Sequence, residues 1–160
     1  MTPLFRKLNL KGQTEIVVLN APESFEPELA ALEKVAVLRD INTASEITFA
    51  LVFVTTLEAI EATVNAITPK AKGDLTLWYA YPKSTSKKIK CAFNRDTGWE
   101  AVGRAGFEPV RQVAIDEDWS ALRFRQVAFI KTLTRPANAA LSETGKVKAA
   151  QERVKDDMRS

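Results

Sequence analysis

The stretch at 73–83, Gly-Asp-Leu-Thr-Leu-Trp-Tyr-Ala-Tyr-Pro-Lys, leaves the chain few choices of fold. Its middle, 75–81, carries large apolar and aromatic side chains, no charge, and no breaker before Pro82. An apolar run bounded by a glycine and a proline predicts a strand buried on both faces. A polar loop follows, with Lys83, Ser84, Thr85, Ser86, Lys87 and Lys88. In a parallel sheet that loop lies at the carboxyl edge, where open α/β sheets bind ligands.

The rest of the chain supplies neighbours for such a strand. Residues 15–20 predict a short buried strand, 34–41 a second strand and 48–54 a third, apolar throughout and therefore central. Between the first two, 26–32 predicts a weak helix, with Pro27 in its first turn. Leu57, Ile60, Val64 and Ile67 recur at helical spacing, so 57–67 is the clearest helix, ended by Pro69 and Gly73. Thr97 and Glu100 have the spacing of a capping box, which opens a helix that Gly106 can close in a left-handed conformation. Residues 110–116 and 120–127 are strands separated only by Glu117, Asp118 and Trp119, the spacing of an antiparallel hairpin.

This alternation predicts an α/β fold: an open, mostly parallel sheet of about six strands with helices on both faces. The expected spatial order is second, first, third, fourth, sixth, fifth, with only the sixth antiparallel. Residues 1–13 read as a polar, basic lead-in. From 132 to 160 small and charged residues read as a tail, helical or frayed, outside a single domain over 1–131.

Composition excludes more than it assigns. There is no histidine, so the commonest metal ligand and neutral-pH acid–base group is missing. Cys91 is the only cysteine, which rules out an intrachain disulfide and a thiolate metal cluster. A net charge of +3, from 23 basic and 20 acidic residues, gives no argument for nucleic acid. The opening residues lack a signal-peptide core and no apolar run approaches ~18 residues, so a cytoplasmic protein without a membrane span is expected.

The order strand, helix, glycine, strand, capped helix, Gly106-Phe107 and hairpin resembles the second half of class I methyltransferases. More narrowly, Trp78 to Lys83 and the Asp118-Trp119-Ser120 segment resemble a bacterial family known only as a domain of unknown function. The resemblance covers roughly residues 12–127 and implies a Rossmann-like, methyltransferase-like scaffold. It implies no activity, because fold kinship does not carry function. Methyltransferases of this class follow the first strand with a glycine-rich turn, which lets the backbone approach adenosylmethionine. Here the turn is Asn20-Ala21-Pro22-Glu23-Ser24-Phe25, without a glycine. Asp40 could be the acidic residue the resemblance implies after the second strand.

Two loops make the candidate site. The loop after the central strand brings Tyr81, Lys83, Ser84, Thr85, Ser86, Lys87 and Lys88 to the carboxyl edge; the hairpin turn brings Asp116, Glu117, Asp118 and Trp119. Lysines hold an anion as point charges, and hydroxyls add hydrogen bonds. The same residues also read as an ordinary solvated loop beside a charged turn. Trp78 and Trp99 are read as packing residues. Arg123 and Arg125 are read as blunting a sheet edge or presenting a basic edge to an anionic partner. Cys91, among Lys88, Lys90 and Arg95, has a setting that lowers thiol pKa but no histidine to act as its base. The expectation is a non-catalytic binding or regulatory module recognising a small anion or a protein partner, with no cofactor. The alternative is a divergent adenosylmethionine-dependent methyltransferase.

Overall fold

The central strand, β4 (Ala71–Pro82), is longer than its apolar middle and is fully buried from Leu75 to Pro82. A computed structural model describes residues 2–86, 89, 91, 93 and 98–130. Around β4 stand β1 (Glu15–Leu19), β2 (Ala36–Leu38), β3 (Ile47–Phe53), β5 (Phe107–Ala114) and β6 (Trp119–Gln126). They form one six-stranded sheet in the order β2-β1-β3-β4-β6-β5, as the order of elements predicts. β1, β2, β3 and β4 pair in parallel, and β6 runs antiparallel to both β4 and β5.

Strand alternation sorts β4 onto two cores. Leu75, Leu77, Tyr79 and Tyr81 pack with α3 (Leu57–Ile67) and α4 (Glu100–Arg104). Trp78 and Ala80 belong to the other face, under α1 (Pro3–Lys7) and α2 (Glu26–Ala30). In α3 the Thr56 hydroxyl caps the amide of Ala59 at 3.2 Å, and Ile60, Val64 and Ile67 are fully buried. Leu57, expected on that stripe, is instead 46% exposed because it opens the helix above the sheet.

Four expectations are corrected. The lead-in is not solvated: Thr2 caps α1, Phe5 and Leu8 are fully buried with Leu10 beside them, and Trp78 Nε1 donates to the Leu8 carbonyl at 2.7 Å. β2 is only three residues long. Lys34 takes a left-handed φ of 59°, and Asp40 turns the chain by accepting from the Asn42 amide at 2.9 Å. The cap of α4 is Trp99, without a side-chain bond, not the Thr97 of the expected capping box, which lies outside the described residues. Gly106 does follow α4 in the left-handed region, at φ 93°. Finally, β6 is an inner strand, so Arg123 and Arg125 do not blunt an edge. The edge on that side is β5, which tolerates Pro109 for that reason. The tail expected over 132–160 lies outside the described residues.

Candidate functional site

At the end of β4, Pro82 stands opposite Trp119, the first residue of β6. The chain then stays bonded to the hairpin turn for several residues. The Lys83 amide donates to the Asp118 carbonyl at 2.7 Å, and the Ser86 hydroxyl donates to Asp118 Oδ1 at 2.8 Å. Ser86 Oγ also accepts from the Ile89 amide at 3.3 Å. The turn is held from within: Asp116 Oδ1 accepts from the amides of Asp118 and Trp119 at 2.8 and 2.9 Å. A carboxylate folding back on amides two and three residues ahead is the ordinary reason for an aspartate at such a corner.

The two loops therefore form one surface, but not every candidate side chain reaches it. Lys83 is half-buried beside the turn, and Ser84 and Thr85 are exposed. Ser86 and Asp118 are bound to each other, and Asp116 caps its own turn. Tyr81 points inward: its ring meets Phe93 and Trp99, and its hydroxyl accepts from Gln112 Nε2 at 3.1 Å. Trp119 is also buried, edge-on to Phe53 with ring centroids 5.1 Å apart. Both rings thus pack the cores on opposite faces of the sheet and leave no stacking platform at its edge. Lys87 and Lys88, with Lys90 and Arg95, lie outside the described residues. Cys91 is half-buried against the α3–α4 core. Trp99 packs on the sheet, touching Tyr79, Tyr81 and Phe124.

The strand order reverses between β1 and β3, so their carboxyl ends mark the topological switch point of the sheet. Asn20 leaves β1 with a left-handed φ of 60°, a conformation asparagine reaches more readily than most residues. Ala21 and Pro22 follow, and a single 3₁₀ turn, Glu23–Phe25, leads into α2. The turn is pinned from below by Phe25, buried against Phe5 and Phe53 at centroid distances of 6.0 and 5.0 Å. On the other side of β1 from β3, both Arg39 terminal nitrogens bond the Glu26 carboxylate at 2.7 Å, tying the start of α2 to the end of β2. That forked bond holds the Glu26 carboxyl below its usual range and Arg39 above its own. Composition alone does not reveal this pair, since the partners are far apart in sequence. The asparagine ahead of Ala-Pro was the one legible hint of a left-handed step.

No protein-family model matches the chain, and no curated protein does. Solved structures do match it in fold. A SAM dependent methyltransferase from Aquifex aeolicus superposes with a TM-score of 0.53 over 78% of this chain and 88% of its own, at 13% identity. The pyocyanin biosynthetic protein PhzM gives a TM-score of 0.51 over 76% of this chain and 52% of its own, at 14% identity. The chain has a methyltransferase-like fold. At these identities the likeness establishes the scaffold and nothing further. Among the described residues no helix is long and apolar enough to cross a membrane. Among the same residues no group of three or more Cys, Asp or Glu is placed to hold a metal ion.

Proposed function

We propose that the chain is a non-catalytic binding or regulatory module on a methyltransferase-like scaffold, which takes a small anion, or an acidic group of a protein partner, at the carboxyl edge. The observation that carries this reading is the first turn. Where the resemblance implies glycines and an open backbone, this chain has Ala21, the ring of Pro22 and a 3₁₀ turn anchored by Phe25. Side chains fill the approach that glycine leaves clear, so these residues fit adenosylmethionine poorly in that approach. The remaining surface at the edge combines the Lys83 ammonium with the exposed hydroxyls of Ser84 and Thr85, presented on a loop that Asp118 fixes at two points.

Citrate and pyrophosphate titrations at low and physiological salt test this, followed through the backbone amides of Ser84 and Thr85. Lys83→Ala is expected to weaken binding roughly tenfold, the effect of losing a charged hydrogen bond. Lys11→Ala, at an exposed position remote in sequence, is expected to change it less than about twofold, as screening implies. Equal losses from both variants would reduce the loop to nonspecific attraction.

The scaffold itself favours a second reading, a divergent adenosylmethionine-dependent methyltransferase. The Aquifex protein is a SAM dependent methyltransferase, and the left-handed Asn20 supplies one step of the turn without a glycine. Asp40 stands after β2, although its carboxylate caps its own turn through the Asn42 amide. Direct binding of adenosylmethionine separates the two readings.

A further inference from the structure

The outer strands carry a charge cluster that the carboxyl edge does not explain. Arg111 on β5 and Arg123 on β6 are directly opposite each other in register, and Trp78 on β4 is opposite Arg123 on the other side. Residues opposed across a ladder share a face, so both arginines project on the side that α1 covers. Arg125 follows two residues later on that face and grips Asp74: Nε lies 3.0 Å from each carboxylate oxygen, and a terminal nitrogen 2.6 Å from Oδ2. The cluster lies toward the end where β4 begins, away from the Lys83 loop.

Two features set this pair apart from ordinary surface arginines. The first is the β-bulge between Pro109 and Arg111. With unbroken register Val110 would oppose Arg123, and Arg111 would turn to the opposite face. The extra residue, the exposed Val110, puts Arg111 beside Arg123 instead. The second is that like charges directly opposed across strands repel. Asp74, bonded to Arg125, offsets part of that repulsion at Arg123. Among the described residues no ion pair joins Arg111 or Arg123, and the Arg123 Nε–H is buried without an acceptor. Burial first, then Arg125 and, more weakly, Arg111 hold the Arg123 guanidinium below its usual range, against the opposing pull of Asp74. A half-buried cation crowded by two others, its one offsetting carboxylate shared with Arg125, would gain from a further anion at the pair.

We infer that Arg111 and Arg123 together bind one phosphate-type dianion, the terminal group of a small phosphomonoester. A carboxylate presents its two oxygens in one plane. A tetrahedral phosphate has oxygens enough for two forks from opposed strands. This site stands apart from the Lys83 surface and does not depend on it.

The test is a titration of the full chain with inorganic phosphate at low salt, following arginine Nε–H resonances, with Arg123→Lys used to assign its signal. The Arg123 resonance is expected to move and saturate. Arg111→Gln is expected to weaken phosphate by at least roughly tenfold, as for a lost charged hydrogen bond, and to raise the phosphate-free melting temperature by removing the repulsion. Lys83→Ala is expected to leave phosphate binding within about twofold, being screened from the pair. Absence of a saturable shift would overturn the site, as would equal weakening by Lys83→Ala and Arg111→Gln. Succinate binding as tightly as phosphate would overturn the phosphate class.

Discussion

Tyr79 ties the core to pH. Its hydroxyl lies 2.8 Å from Thr63 Oγ1 beneath α3, and its ring packs edge-on to Phe124. Burial pushes its phenol well above the ordinary value near 10, and the Thr63 bond offsets only part of that. Below about pH 10 the phenol is neutral in both folded and unfolded chains, so its contribution is fully present. Above that pH only the unfolded chain releases the proton, and stability falls by about 1.4 kcal/mol per pH unit until the folded group titrates. Tyr79→Phe is expected to cost about 1 kcal/mol at pH 8. Urea unfolding at pH 8 and pH 11 is expected to show the gap from wild type closing or reversing at the higher pH. A constant gap would mean that Tyr79 does not carry this dependence. The burial of Trp78, Trp99 and Tyr79 was legible, because each sits in an apolar run or at a helix start. The inward turn of Tyr81 was not, because Phe93 and Trp99, which cover it, belong to a later segment.

At the scale of elements, α1 is where sequence reading went furthest wrong. Phe5, Leu8 and Leu10 are interleaved with Arg6, Lys7 and Lys11, and a five-residue helix is too short to display a period. Its fold comes from tertiary contact: Phe5 meets Phe25 and Phe49, and the Leu8 carbonyl takes the Trp78 indole proton. Phe5→Ala is expected to destabilise the domain by about 3–5 kcal/mol. Denaturant unfolding measures this, and a loss under about 1 kcal/mol would mean that α1 packs only loosely. α3, by contrast, was legible to the residue, since its apolar spacing, the acidic first turn and Pro69 agree. β5 shows the opposite limit. The bulge at Val110 decides which face Arg111 takes, and a bulge leaves no clear trace in a strand whose outer residues are polar.

For the whole molecule, the sheet order was readable because it follows from local rules that agree with one another. Apolar runs marked β1, β3 and β4 as inner strands, right-handed crossovers set their order, and a short connection forced β6 back beside β4. The candidate site was readable only as a place. That the two loops meet at the carboxyl edge follows from topology. That Asp118 clamps Lys83 and Ser86, and that Asp116 is used by its own turn, depends on side-chain geometry that no spacing encodes. The fold is methyltransferase-like, and its first turn carries Ala21, Pro22 and the buried Phe25 without a glycine. The central proposal is that this scaffold lacks the usual cofactor approach. Calorimetric titration of the full chain with adenosylmethionine tests it most directly. The account predicts no saturable heat at micromolar concentrations and no gain in thermal stability, where a ligand at 100 times its Kd would add about 2.7 kcal/mol. Micromolar binding abolished by substitution at Asn20 or Asp40 would contradict it and make the chain a divergent cofactor-binding enzyme.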